Sequence, residues 1–213
     1  MKRTVITIGA IAMLAMPAVL SAQPQAKNLT IGPNNAEVKF GRAVTLSGKL
    51  TGQNNSGQEV TVEKDPFPFG TFETAGTTQT NASGEWSFAD TPTVNTHYRA
   101  RSAPSESKTV DVNVRPAISL RLSDRTPAFR QRVRFSGRLC PEHDGTAVAL
   151  QRRLPNNQWQ SFRTLVLKDI PGETCSSYAR TVRPRRTRAY RVHFNGDADH
   201  VEGNSPVRVA RVH

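Results

Sequence analysis

The chain has 213 residues with 14 Gly, 14 Pro, two Cys and a formal net charge of +12. That length holds one large or two small domains, and the Gly, Pro, Thr and Val usage describes short strands and turns. No helix-period segment of useful length occurs, which excludes a helical bundle, and beyond the N-terminal apolar run no stretch approaches the roughly 20 apolar residues of a helical membrane span.

Residues 1–22 read as a secretory signal: Lys2 and Arg3, a mostly apolar run from Val5 to Met16, Pro17, then the small residues Ser21 and Ala22. An uncleaved anchor is the alternative, but the apolar run is short and interrupted by Thr7 and Gly9. The mature chain is expected to begin near Ala22 or Gln23 and to be secreted, with no Cys near the cut to carry a lipid and no hydrophobic tail in "VRVARVH". Cys140 and Cys175 then meet an oxidising compartment, where one disulfide is the default and a free reactive pair the alternative.

From there the chain is a series of short runs with period-two alternation, the pattern of strands with one buried face. In order these are Leu29 and Ile31; Val44 and Leu46; Val60 and Val62; Trp86 and Phe88; Tyr98; and Val110, Val112 and Val114. A second series follows: Ile118, Leu120 and Leu122; Val133 and Phe135; Val148 and Leu150; Leu165 and Leu167; Tyr178; Tyr190, Val192 and Phe194; and Val207 and Val209. "NASGE", residues 81–85, reads as a hairpin turn. About seven strands in each stretch of roughly 90 residues describe an all-β, two-sheet sandwich.

The two series are copies of one unit. "FGRAVTLSGKL" (Phe40 to Leu50) aligns with "FRQRVRFSGRL" (Phe129 to Leu139), and "GQEVTVEK" with "GTAVALQR". "THYRA" aligns with "RAYRV", and "SKTVDVNV" with "NSPVRVAR". The boundary falls at "VRPAI", giving units 23–115 and 116–213. These strands, with "TNASGEWSF", resemble the tandem Ig-like domains of exported bacterial proteins, a likeness that covers nearly all of the mature chain. It implies an extracytoplasmic sandwich used as spacer, adhesive or binding module, with no catalytic residues to carry over. In such a sandwich the second and fifth strands are antiparallel neighbours, which would place Cys140 beside Cys175. The chain departs from an even repeat in two ways: the Cys pair occurs only in the second unit, and the charges differ.

Residues 23–115 hold nine Lys or Arg and nine Asp or Glu, whereas residues 116–213 hold 18 basic and eight acidic residues, a net of +10. With Val133 and Phe135 inward, Arg132 and Arg134 share the solvent face with Arg130, and Arg138 follows in the same segment. Such a face attracts polyanions, and Arg offers phosphate and carboxylate two-pronged contact. The ordinary alternative is a solvated edge whose charge deters sheet-to-sheet aggregation. Sequence-specific nucleic-acid recognition is not expected, since no helix-turn-helix, zinc-finger or RNA-recognition signature occurs.

Other candidates have plain structural readings beside functional ones. In "DPFPFGTF", Phe67, Phe69 and Phe72 either form an aromatic binding surface or close the sandwich edge. Trp86 reads as core and Trp159 as core or carbohydrate platform. The loop "NGDADHVEGN" brings Asp197, Asp199 and Glu202 together as possible calcium ligands, though not in EF-hand spacing. The five histidines look scattered, and "PEHDG" reads as a turn, so no metal or cofactor is expected. No nucleophile elbow, H-E-x-x-H or phosphate-cradling loop occurs. The expectation is a secreted, non-enzymatic module acting on a protein partner or an anionic polymer at the cell envelope.

Overall fold

Alternating side chains bury one face of a strand, and two such faces must meet to leave water. The computed structural model describes residues 27–213, which form strands and turns and include no helix. The signal-like segment 1–22 and the expected mature start lie outside the described residues.

Between Asn28 and Arg115, the strand Val44–Thr51 pairs antiparallel with Glu85–Asp90 and with the short strands Asn28–Leu29 and Gly32–Pro33. A second sheet runs in the order Glu37–Lys39, Val110–Arg115, Thr96–Ser102, Glu59–Pro66, Glu73–Gln79, with only its first pair parallel. Leu29, Val44, Leu46, Leu50 and Trp86 of one sheet pack with Val60, Val62, Tyr98, Ala100, Val112 and Val114 of the other.

Residues 117–210 repeat the arrangement. Val133–Cys140 pairs with Ser176–Val182, Ala117–Ile118 and Arg121–Leu122. The other sheet sets Ala147–Arg153 between Trp159–Val166 and Arg188–Phe194, and Arg188–Phe194 also pairs with Gly203–Asn204 and Arg208–Ala210. Phe135, Leu139 and Tyr178 meet Leu150, Tyr190, Val192 and Phe194 in its core. Burying each such side chain contributes roughly 1.5–3 kcal/mol. This all-β architecture is compatible with β-sandwich packing.

The two halves match in detail. A backbone clasp recurs, with Ala100 N donating 2.8 Å to Ser107 Oγ and Val192 N donating 2.9 Å to Ser205 Oγ. Gly48 and Gly137 recur as places where a neighbouring backbone comes so close that no side chain fits.

Three expectations are corrected. Glu73–Gln79 is a strand without apolar alternation; it sits at a sheet edge, where Gly76 leaves room for the Phe88 ring. "NASGE" does turn the chain, with Gly84 N donating 2.9 Å to Asn81 O. It is not a hairpin, however, because Glu85–Asp90 crosses to pair with Val44–Thr51 in the other sheet. The last strand is one residue out of phase with its expected alternation. Ala210 is fully buried and Val207 is 47% exposed, since Arg208, not Val207, lies opposite Tyr190 as Val110 lies opposite Tyr98. A one-residue slip exchanges the faces of a strand.

Cys140 and Cys175 form a disulfide with Cα atoms 4.4 Å apart. Leu139 opposes Ser176 in the ladder, so the next residues outward, Cys140 and Cys175, face one another. Replacing both by Ser is expected to lower stability by about 3 kcal/mol, by freeing a loop with a sequence separation of 35. Denaturant unfolding checks this, and an unchanged midpoint would contradict it.

Candidate polyanion-binding face

Val133 and Phe135 are fully buried, and the alternation then turns Arg134 to solvent with Arg132 just before it. Arg130 reaches the same face differently. It sits in the turn preceding the strand, with a left-handed backbone at φ 60°. Its amide donates 3.0 Å to Pro184 O, which ties this turn to the segment "RPRRTR". Gln131 braces the turn by accepting from Ala128 N at 2.7 Å and donating to Asp124 Oδ2 at 2.9 Å.

Because Val133 opposes Val182 at the end of the ladder, the chain leaving Ser176–Val182 carries Arg183, Arg185 and Arg186 to the side of Arg130 and Arg132. The other sheet adds Arg152, Arg163 and Arg188. Together they line an open groove of about 1010 Å³ with nine arginines and no carboxylate among its lining residues. Phe162 and Tyr190 supply its apolar part, with ring centroids 6.0 Å apart.

Three of the nine guanidiniums are anchored. Arg152 lies over the Phe162 ring at 5.3 Å and donates 3.0 Å to Gln160 Oε1. Arg163 donates 2.9 Å to Phe162 O, and Arg188 donates 2.9 Å to Arg153 O. Arg130, Arg132, Arg134, Arg183, Arg185 and Arg186 make no side-chain hydrogen bond or ion pair among the described residues. Six like charges without a counter-charge on one concave surface, of which only Arg130 has a ring beneath it, that of Phe129 at 5.9 Å, concentrate a positive potential that salt damps over about 8–10 Å.

Arg138 does not belong to this group. It is four residues beyond Arg134 on the same strand face, hence about 13 Å away. There it lines an adjoining depression, which Arg134 also borders, and pairs with Glu173 at 2.6 Å. The more distant arginines also stay out of the groove. Arg191 stacks over Trp159 at 4.5 Å and donates 2.7 Å to Gln151 Oε1, and burial pulls its guanidinium below its ordinary pKa. Arg208 donates 3.1 Å to Leu120 O.

The candidate aromatic surface is largely turned on itself. Phe67 meets Phe69 edge to face at 5.5 Å, Phe69 stacks on His97 at 4.0 Å, and Arg99 covers Phe72 at 4.1 Å. Buried Asp65 closes this loop by accepting 3.0 Å bonds from Gly70 N and a 3.2 Å bond from Thr71 N. Only Phe69, 38% exposed, offers appreciable ring surface. Trp86 is buried in the core and Trp159 is half-buried under Arg191.

The acidic loop divides. Asp197 and Asp199 gather with two of the seemingly scattered histidines, His143 and His200, whose ligand atoms all lie within 4.8 Å of one another. Burial, with Asp199 alongside, pushes the Asp197 carboxyl above its ordinary pKa. Glu202 faces a different depression, beside Arg115. The pairing of His143 with His200 was not readable from spacing, because the two lie on separate loops. No family model matches the chain, and no curated protein matches it.

Proposed function

We propose that this is an exported, non-enzymatic protein of two tandem Ig-like sandwiches, 23–115 and 116–213, whose second unit binds an anionic polymer through the arginine-lined groove. The observation that carries the reading is the convergence of nine arginines from both sheets on one surface without a carboxylate. A merely solvated basic edge would have no need to gather charges from separate elements against their own repulsion. The disulfide, and the absence of a helix long and apolar enough to cross a membrane among the described residues, accord with an address outside the cytoplasm. The openness of the groove and its bidentate donors favour an extended chain of sulfate, phosphate or carboxylate groups over a small molecule.

The test is affinity for heparin and for mixed-sequence single-stranded DNA across a salt series. Six engaged guanidiniums predict a slope of log K against log salt of about −4 to −5 on the nucleic acid. Replacing Arg130, Arg132 and Arg134 by Ser should reduce that slope by about 2 to 3, whereas Arg138→Ser should leave it nearly unchanged. Equal effects of the two substitutions on both probes would sink the reading and leave a module that works through protein contacts.

A further inference from the structure

In the second half, the Ser clasp closes around a longer loop. Ala100 and Ser107 are seven residues apart, but Val192 and Ser205 are thirteen apart. The six added residues fall in the loop that carries Asp197, Asp199 and His200. That loop is fastened to the first half: Asn95 N donates 2.8 Å to Asp199 O, and Val201 N donates 2.9 Å to Val114 O. His143 approaches from the turn after Cys140, where its amide donates 2.8 Å to Ser176 Oγ.

Both imidazoles are held in a defined tautomer. His143 Nδ1 lies 2.9 Å from Pro141 O, and His200 Nε2 lies 2.8 Å from Thr93 O. A carbonyl can only accept, so each of these nitrogens carries the hydrogen. The neutral ring then presents a bare lone pair at its other nitrogen, His143 Nε2 or His200 Nδ1. These two atoms are buried and make no hydrogen bond; the side chains are 6% and 1% exposed. Yet His143 Nε2 stands 3.2 Å from Asp197 Oδ2, and His200 Nδ1 stands 3.2 Å from Asp199 Oδ1. The oxygens are within reach but off the line that a ring N–H would take. Acceptors therefore face acceptors in a protected pocket, an arrangement that a shared cation relieves.

We infer that His143, Asp197, Asp199 and His200 form a binding site for a divalent transition-metal ion of zinc type, placed where the added loop meets the first half. Two imidazole nitrogens with two carboxylate oxygens suit zinc, whereas calcium and magnesium take sets made of oxygen. A tetrahedron with bonds of about 2.1 Å has edges of about 3.4 Å, and two nitrogen–oxygen pairs already stand at 3.2 Å. The two backbone carbonyls are the outer partners that orient metal-bound histidines. Four protein ligands close the coordination shell, so the ion has a structural role: it clamps the added loop while that loop's backbone grips Asn95 and Val114 and the His200 ring holds Thr93 O.

The test uses the chain purified without a polyhistidine tag, stripped with chelator and titrated calorimetrically with zinc chloride. One equivalent should bind, the unfolding midpoint should rise with zinc, and cobalt(II) in its place should give the intense visible bands of a four-coordinate ion. His143→Gln and, separately, Asp199→Asn should each weaken zinc binding by roughly 100-fold or more, while Glu202→Gln should leave it unchanged. Circular dichroism establishes that each variant is folded, and the stoichiometry of the unaltered chain stands without any variant. The inference is overturned by the absence of saturable zinc binding to the unaltered chain, by full binding in both ligand variants, or by a preference for calcium.

Discussion

Replacing Gly137 by Ala is expected to cost about 4 kcal/mol or more, placing it among the most damaging single substitutions this half of the chain can suffer. Gly137 has no left-handed backbone to excuse it. The reason is proximity: an added Cβ would drive into the backbone carbonyl of Ser119 and lie 2.7 Å from Tyr178 Cζ. Neither neighbour can yield cheaply. Ser119 connects the short strands that pair with Val133–Cys140, and its carbonyl accepts the Tyr178 hydroxyl bond. Relief would mean parting the sheet or expelling a buried tyrosine. Gly145→Ala is the matched comparison. Its backbone is left-handed at φ 78° but no atom lies within 4 Å of the added Cβ, so only conformational strain of about 1 kcal/mol is expected. Scanning calorimetry should show the Gly137 variant melting more than about 15 °C lower, with the Gly145 variant down by several degrees. Comparable losses in the two would show that the close approach is not what holds the position to glycine.

Alkali should unfold each half of this protein cooperatively, the half with two buried tyrosines more steeply than the half with one. All three tyrosines of the chain are in the cores, with Tyr98, Tyr178 and Tyr190 no more than 4% exposed. Burial pushes each phenol above its ordinary pKa, and for Tyr98 the 2.7 Å bond to Asp90 Oδ2 and the charge of that carboxylate add to the effect. A phenol whose pKa is raised by folding binds its proton more tightly in the native than in the unfolded chain. Its contribution is therefore complete below the unfolded value of about 10 and is lost as pH climbs above it. Each tyrosine that stays protonated while its unfolded counterpart ionises removes about 1.4 kcal/mol per pH unit, so the half with Tyr98 loses about 1.4 and the half with Tyr178 and Tyr190 about 3. At about 3 kcal/mol per pH unit, a stability of 5–15 kcal/mol in the half with two tyrosines is exhausted within about two to five pH units. The arginines keep their charge throughout this range. Phenolate absorbance should rise together with loss of the β-sheet signal, and Tyr98→Phe should remove this dependence from the first half while leaving that of the second. Smooth ionisation near pH 10 with the fold intact would show that the tyrosines are reachable by water.

Much of this protein is written in short-range pattern. The alternation that names Val44, Leu46, Val133 and Phe135 as core is local, and so is the repeat that sets Val44–Thr51 over Val133–Cys140 at a constant offset of 89. The same phase determines that Arg132 and Arg134 point outward, whatever the rest of the chain does. The Cys pair was legible because two cysteines expected in an oxidising compartment have only each other as partners, and the ladder of Val133–Cys140 with Ser176–Val182 brings them face to face. Where burial left no periodic mark, the pattern failed. Glu73–Gln79 is an edge strand whose side chains need not alternate, and the final strand takes its phase from its ladder with Arg188–Phe194, where Arg208 lies opposite Tyr190, not from its own valines.

Tertiary structure alone decided which charges meet. Arg130, Arg134 and Arg138 look alike in one run of sequence, but a turn bonded to Pro184 brings Arg130 to Arg183, Arg185 and Arg186, while Glu173 claims Arg138. His143, in what reads as an ordinary turn, finds Asp197 and His200 only because the sandwich sets two remote loops at the same end. Strand phase is a property of neighbouring residues and survives in the sequence. The company a side chain keeps across loops depends on how the whole sheet pair closes, and no spacing of residues records it.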